Sequence, residues 1–286
     1  MEKRFKHIYF ELTNICSRRC SFCPEVKREK LFISKNDAFN YLEQIKDFTS
    51  AVYWHVQGEP LLHPDFKEIT SFASKLGLQL KLTTNATHLN QYADYLSSGT
   101  FQQINFSIQS LNEVSIPERQ KTLNDIADFT IKTLQQSPDT YINFRYWQDS
   151  TPDLSFFAEK FNIPQEKWLP ANGRHSVNIT GRLYCTFDRR FIWPADSPAR
   201  SGGEYGSCKG LIDHCGILCD GRVVPCCLDA NGDLTLGNLR NATLAEILTS
   251  HAAEKIADNF RHNFRIMPIC RNCNFAGRFD SKQRIS

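Results

Sequence analysis

A chain of 286 residues, 41% of them hydrophobic and 23% charged, is long enough to bury one large core or two smaller ones. Its net charge of +3 is too small to argue for nucleic acid or a membrane surface as partner. No stretch approaches the roughly 20 apolar residues that span a bilayer, and Met1 to Lys6 is charged, unlike a secretory leader, so the expected setting is cytoplasmic. In that setting the clustered ones among the eleven cysteines read as metal ligands rather than as disulfides.

From residue 7 to residue 147, short β-like runs alternate with helical ones. The runs 7–12, 51–56, 78–83, 103–108 and 141–147 predict strands; 34–48, 64–76, 89–97 and 117–136 predict helices. Ser34 is placed as an N-cap, Pro64 and Pro117 suit first helical turns, and Gly77 and Gly99 sit where helices should stop. Repeated β-α pairs mean a parallel sheet with right-handed crossovers, whose ligands collect at the carboxyl ends of the strands. About six such units fit before residue 190, short of a closed barrel's eight. Residues 152–161 predict a helix, 177–187 a sixth strand, and 193–203, rich in Pro, Gly and Ser, a connection. Beyond it, Asp220-Gly221 between apolar residues predicts a hairpin turn, and Thr243 with Glu246 a capping box at a helix start. The expected division is 1–200 for the larger domain and 201–286 for a smaller, cysteine-rich one.

The chemistry sits at the strand ends. Cys16, Cys20 and Cys23, spaced C-x3-C-x2-C, follow the first strand. Three thiolates can hold three irons of a cubane [4Fe–4S] cluster and leave the fourth iron open; they could also belong to a zinc site or a redox pair. Gly58-Glu59-Pro60 follows the second strand and offers a charged acceptor for an ammonium, with a glycine that permits close approach. Asn85, Ser107 and Gln109 end the third and fourth strands, where they either meet a ligand or form ordinary turns. Cys208, Cys226, Cys270 and Cys273 form a second set, C-x17-C-x43-C-x2-C, suited to a cluster or to structural zinc. Cys185, Cys215 and Cys219 are expected to pack in the core. Cys227, expected on the face opposite Cys226, is a candidate donor of a hydrogen atom or proton, and Arg145 a candidate partner for a substrate carboxylate or hydroxyl. His55 and His63 flank the Gly-Glu-Pro run as ligand contacts or plain hydrogen-bonding residues, and Arg18 and Arg19 are expected to offset cluster charge or stay solvated.

The triad behind a first strand, with Phe22 before its last cysteine, and Gly58-Glu59-Pro60 at the second strand end resemble the signature of the radical S-adenosylmethionine (SAM) superfamily. The C-terminal cysteines resemble its SPASM/Twitch extension, and the lack of any cysteine after Cys273 fits the one-cluster Twitch form. The run from His55 to Leu62 and Gln109 are similar to those of one-auxiliary-cluster dehydrogenases in that family. This resemblance implies an α/β fold, a partial (β/α)6 radical SAM barrel followed by a small β-hairpin/helix auxiliary iron–sulfur domain. It implies two [4Fe–4S] clusters, on Cys16, Cys20 and Cys23 and on Cys208, Cys226, Cys270 and Cys273, with SAM held by Phe22, Gly58, Glu59, Pro60, Asn85, Ser107 and Gln109. The implied activity is an oxidoreductase that cleaves SAM to a 5′-deoxyadenosyl radical, abstracts a substrate hydrogen and passes an electron to the auxiliary cluster. Its implied partners are a small polar metabolite or peptide and a reductant such as flavodoxin or ferredoxin, with no membrane and no nucleic acid. A first strand beginning near residue 7 leaves no peptide-recognition domain before it, an expectation that favours a small molecule. The alternatives are crosslinking or epimerisation of a peptide or RNA, or a non-catalytic metal-binding protein.

Overall fold

In the computed structural model, which describes residues 3–148, 153–170, 175–197 and 204–280, parallel strands lie side by side in chain order. They are β1 (His7–Phe10), β2 (Ala51–Trp54), β3 (Gln79–Thr84), β4 (Phe101–Ser107) and β5 (Tyr141–Trp147). The crossovers are α1 (Lys35–Ile45), α2 (Phe66–Lys75), α3 (Leu89–Leu96) and α4 (Ile116–Gln136). Alternation decides which way each strand faces. Ile8, Phe10, Val52, Trp54, Leu80, Leu82, Ile104, Phe106, Ile142 and Phe144 are buried under the helices. The residues between them, such as Tyr9, Tyr53, Asn105 and Arg145, line an interior cavity instead. On α1, Ala38, Tyr41, Leu42 and Ile45 supply the buried stripe at helical spacing, and Ser34 caps its start by accepting the Asp37 N–H. Ser115 caps α4 in the same way, with Pro117 in the first turn.

The run 177–187 is not one strand but a hairpin: β6 (Ser176–Thr180) turns at Gly181, with φ +49°, into β7 (Leu183–Asp188). Only β7 joins β5, in parallel, with Thr186 beside Arg145; the glycine breaks a stretch whose alternation is otherwise continuous. The helix expected over 152–161 is α5 (Leu154–Phe161); Pro152 and the 201–203 run lie outside the described residues.

The C-terminal strands extend the same sheet. β8 (His214–Ile217) pairs in parallel with β1, and the Asp220-Gly221 turn, Gly221 at φ +87°, returns the chain as antiparallel β9 (Arg222–Val224), which β10 (Gly237–Asn238) edges. The result is a 10-stranded sheet, ordered β10-β9-β8-β1-β2-β3-β4-β5-β7-β6, that curves without closing. The single helix expected from Thr243 is two. The Thr243–Glu246 capping box starts α6 (Leu244–Leu248), but Ser250 then accepts the Ala253 N–H and caps a separate α7 (His251–Arg261). Short helices α8 (Pro268–Arg271) and α9 (Gly277–Asp280) follow. The fold is α/β, an open partial barrel with a small hairpin-and-helix unit attached. Among the described residues no helix is long and apolar enough to cross a membrane.

Candidate active site

A cavity of about 840 Å³ opens at the carboxyl ends of β1 to β5 and gathers most of the residues singled out from the sequence. Cys16, Cys20, Cys23 and Phe22 line it from the loop after β1, Gly58 and Glu59 from the loop after β2, and Asn85, Ser107 and Gln109 from the next two strand ends. Arg145 and Cys227 line it as well. Pro60, Cys208, Cys226, Cys270 and Cys273 are not among the lining residues; Pro60 is buried in the first turn of a short 3-10 helix just behind.

The triad loop is long, and its neighbours brace it through hydrogen bonds. Asn14 donates from Nδ2 to the Glu29 carbonyl (2.7 Å) and accepts the Leu31 N–H (2.9 Å), while Thr13 Oγ1 donates to the Leu31 carbonyl (2.8 Å). Entry and exit of the loop are thereby clamped together. Glu113 accepts both the backbone N–H and the hydroxyl of Ser21 (2.7 Å each), and Trp193 Nε1 donates to the Phe22 carbonyl (2.8 Å). Arg18 is not solvated: its side chain is 5% exposed and donates to Ser110 Oγ at 2.6 Å. Cys16 Sγ accepts from the Arg18 N–H (3.4 Å) and from Asn85 Nδ2 (3.5 Å), the donor pattern that suits a cluster thiolate.

The loop after β2 is fitted against the triad loop. Gly58 has φ +74°, and a Cβ there would lie 2.2 Å from the Thr13 carbonyl oxygen, so only glycine passes. The Glu59 N–H donates to the Ile15 carbonyl (2.9 Å). The Glu59 carboxylate is buried and accepts from Thr84 Oγ1 (2.7 Å), the Asn85 N–H (2.7 Å) and the Leu61 N–H (3.1 Å). Burial pushes its pKa up, and these three donors together with the Arg18 charge oppose the rise. His63 turns away from the cavity, its Nε2 on the Ile33 carbonyl (2.8 Å).

Deeper in the cavity stand Tyr9, His55, Arg145 and Cys227. Burial, and next the Arg145 charge, press the His55 pKa down to about 3, which keeps its imidazole neutral. Arg145 meets Asp188 at 4.0 Å, and Asp188 also faces Arg278 at 3.4 Å, so one carboxylate is shared by two guanidinium groups. An aromatic wall runs along one side. Ring centroids of Phe22 and Trp147 are 5.6 Å apart, Trp147 and Phe191 6.1 Å, and Phe191 and Phe275 5.1 Å. Trp193, at the start of the expected connection, belongs to this wall.

The C-terminal cysteines form a second group. Cys208 is pushed up to about 12 by burial, then by the charges of Cys226 and Cys273, and Cys270 is raised by burial and by the charges of all three others. Cys208 Sγ accepts the Gly210 N–H (3.4 Å) and Cys226 Sγ the Leu228 N–H (3.3 Å). Among the described residues no group of His, Cys, Asp and Glu converges as one metal ion would require; the thiolates of a cubane each meet a different iron. Cys185 and Cys215 are fully buried in the core. Cys219 is buried too, with Arg28 Nη1 at 3.6 Å from its sulfur. Sequence reasoning missed Glu11, Asn14, Arg28, Glu113 and Asn231, whose side chains brace the site; no motif or periodicity marks them.

Residues 10–136 match the model of the Radical SAM superfamily, and residues 208–274 match SPASM, an iron-sulfur cluster-binding domain. Residues 10–136 thus form a radical SAM region and residues 208–274 a SPASM domain; the cofactors are SAM and [4Fe–4S] clusters. Among curated proteins it is 30% identical to the GTP 3′,8-cyclase of Aquifex aeolicus over 131 residues, covering 43% of this chain and 40% of that one. It is 32% identical to the GTP 3′,8-cyclase of Geobacter sulfurreducens over 143 residues, covering 44% and 42%. The chain thus spans about two-fifths of the length of these relatives. Its fold resembles that of BtrN in complex with AdoMet and 2-DOIA (TM-score 0.60, 16% identity, 96% of this chain and 94% of that one). It also resembles Streptococcus suis SuiB bound to S-adenosylmethionine (TM-score 0.62, 15% identity, 88% and 68%).

Proposed function

We propose that this protein is a radical SAM oxidoreductase of the cytoplasm that oxidises a small polar metabolite or peptide, with residues 1–200 as the SAM domain and 201–286 as a one-cluster SPASM/Twitch domain. The observation that carries this reading is the single cavity that joins Cys16, Cys20 and Cys23 and the Gly58-Glu59 loop to Arg145, His55 and Cys227. When bound, SAM at a reduced cluster supplies a 5′-deoxyadenosyl radical that removes a hydrogen atom, and an auxiliary cluster accepts an electron. Cys16, Cys20 and Cys23 hold the first cluster, and Cys208, Cys226, Cys270 and Cys273 the second. Phe22, Gly58, Glu59, Pro60, Asn85, Ser107 and Gln109 hold and orient SAM. Gln109 supports this with a buried Oε1 that has no hydrogen-bond partner. Arg145 binds an acidic or hydroxyl group of the substrate, and the neutral His55 ring accepts a substrate hydrogen bond. The aromatic wall keeps water from the reacting carbon. The electron that starts each cycle comes from a reductant such as flavodoxin or ferredoxin.

The tests are anaerobic iron and sulfide analysis, then separate measurement of 5′-deoxyadenosine and of product. Two clusters give about eight irons per chain. A Cys16→Ala/Cys20→Ala/Cys23→Ala variant keeps half of that iron and releases no 5′-deoxyadenosine. Cys226→Ala still releases 5′-deoxyadenosine but makes no oxidised product. Iron-free triple variant protein, or full product from folded Cys226→Ala, overturns the assignment.

A second reading has one observation in its favour: Cys227 lines the cavity together with Tyr9. A thiol there can return a hydrogen atom to a substrate radical, which gives epimerisation with no net oxidation.

A further inference from the structure

The exit of the triad loop is tied to the C-terminal unit by a buried ion pair. Glu11, just past β1, has a side chain with 0% exposure, and Arg28, five residues after Cys23, one with 4%. Arg28 Nη2 donates to both Glu11 oxygens, at 2.7 and 2.9 Å. The same carboxylate accepts the Gln57 N–H (3.1 Å), next to Gly58, and the Cys219 N–H (3.2 Å), in the β8–β9 hairpin. The other guanidinium donors point into the C-terminal unit: Nε to the Ala230 carbonyl (2.9 Å) and Nη1 toward Asp220 (3.5 Å). Beside them, Asn231 accepts the Lys27 N–H (3.0 Å) and donates to the Glu25 carbonyl (3.1 Å). The stretch that leaves Cys23 is therefore bonded, through Glu25, Lys27 and Arg28, to the stretches on either side of Cys226.

A buried ion pair is a poor device for stability alone, because apolar packing of the same volume holds segments together without desolvating charge. What it adds is direction. A planar guanidinium whose donors all find acceptors fixes the angle and register of each segment it meets.

We propose that Arg28 and Glu11 form a positioning latch, which ties the exit of the triad loop to the segments flanking Cys226 so that order at one cysteine set is transmitted to the other. The latch rests on the reading that Cys226 is an auxiliary-cluster ligand, but its contacts stand without it. Coupling of this kind is reciprocal: loosening the C-terminal set loosens the triad loop, and the latch carries the effect.

The experiment is backbone hydrogen exchange on anaerobically reconstituted protein, read over residues 16–31 and over β2 to β5, with iron content measured for every sample. Expected in Arg28→Met is a tenfold or larger rise in exchange over 16–31, with β2 to β5 within twofold of wild type. Cys226→Ala alone should also raise exchange over 16–31, but added to Arg28→Met it should add nothing. Asn231→Ala, which cuts only the contacts to Glu25 and Lys27, should give a smaller rise at the same place and covers the case in which Arg28→Met does not fold. Unchanged exchange over 16–31 in both latch variants overturns the proposal, as does a uniform rise that includes β2 to β5. Additive effects of Arg28→Met and Cys226→Ala overturn the coupling. If Cys226→Ala keeps its full iron, the ligand reading fails instead.

Discussion

Glu59 Oε2 accepts the backbone N–H of Asn85 at 2.7 Å, so the carboxylate of one strand-end loop holds the next strand end in place. Its other oxygen accepts from Thr84 and Leu61. Glu59 braces this rim, and in the proposed function it also offers charge to the ammonium of SAM; two substitutions separate these tasks. Glu59→Ala strips three donors of their acceptor at a buried site and should lower stability by at least about 2 kcal/mol. Glu59→Gln keeps an oxygen for Thr84 and Leu61 and removes the charge. In a folded, cluster-replete Gln variant, SAM binding should weaken roughly ten- to a hundredfold, from about 1.5–3 kcal/mol of charge-assisted bonding. Equilibrium dialysis with SAM and thermal melts read the two effects; wild-type affinity in the Gln variant would confine Glu59 to bracing.

Gly58 and Gly77 have nearly the same φ, +74° and +78°, but opposite surroundings. A Cβ on Gly58 meets the Thr13 carbonyl at 2.2 Å, whereas one on Gly77 meets nothing within 4 Å. Gly77→Ala should therefore cost only the left-handed strain, about 1–2 kcal/mol. Gly58→Ala should cost that plus about 1–3 kcal/mol of crowding, and should displace the triad loop from the loop after β2. Denaturant melts of both variants measure the difference, and equal losses would mean that the contact between the two loops is slack.

How much of this was legible beforehand depended on range. β5 is legible because its residues alternate from Tyr141 as far as Tyr146, and the α1 and α6 caps because capping is a matter of three residues. The pairing of β8 with β1 was not legible. His7 meets His214 across more than two hundred residues, and nothing local distinguishes a hairpin that stands apart from one that extends a sheet. Arg28 and Glu11 escaped for a related reason: each looks like an ordinary surface charge until the fold buries both. The hairpin at Gly181 was the opposite case, since the glycine was visible but the alternation around it outweighed it.

His7 and His214 stack with centroids 5.4 Å apart, and each is pressed down to about 4, chiefly by burial; for His7 the next cause is His214 itself. Both values lie below the ordinary 6.5, so the unfolded chain binds protons more readily over that interval. Stability is then full above pH 6.5, falls as pH drops toward about 4, and levels off below. The slope is at most about 1.4 kcal/mol per pH unit for each histidine, and less for His7, which keeps some contact with water. Urea midpoints at about pH 5 and about pH 7.5 should show the drop in wild type and a smaller one in His7→Phe/His214→Phe. The same drop in both would remove these rings as its source.

Cys227 decides between the two readings of the reaction. If the substrate is oxidised, its radical loses an electron and a proton, and no hydrogen atom returns to carbon. Cys227→Ser, which keeps the size and polarity of the side chain, should then leave both 5′-deoxyadenosine and oxidised product near wild-type yield. If the thiol returns a hydrogen atom, the product has the mass of the substrate. In heavy water it gains one deuterium, because a thiol proton exchanges with solvent, and Cys227→Ser stops the reaction after 5′-deoxyadenosine has formed. The cavity favours neither outcome by contact alone, since Arg145 suits a substrate hydroxyl in both and Cys227 lines the wall in both. The auxiliary site separates them. An auxiliary cluster on the proposed four thiolates is needed as an electron acceptor only for oxidation, so the oxidoreductase reading predicts that Cys273→Ala abolishes product while Cys227→Ser does not. Mass spectrometry of the product in ordinary and heavy water, run on both folded variants, reads the answer directly. Deuterium retained at carbon in the wild-type product would replace oxidation with epimerisation.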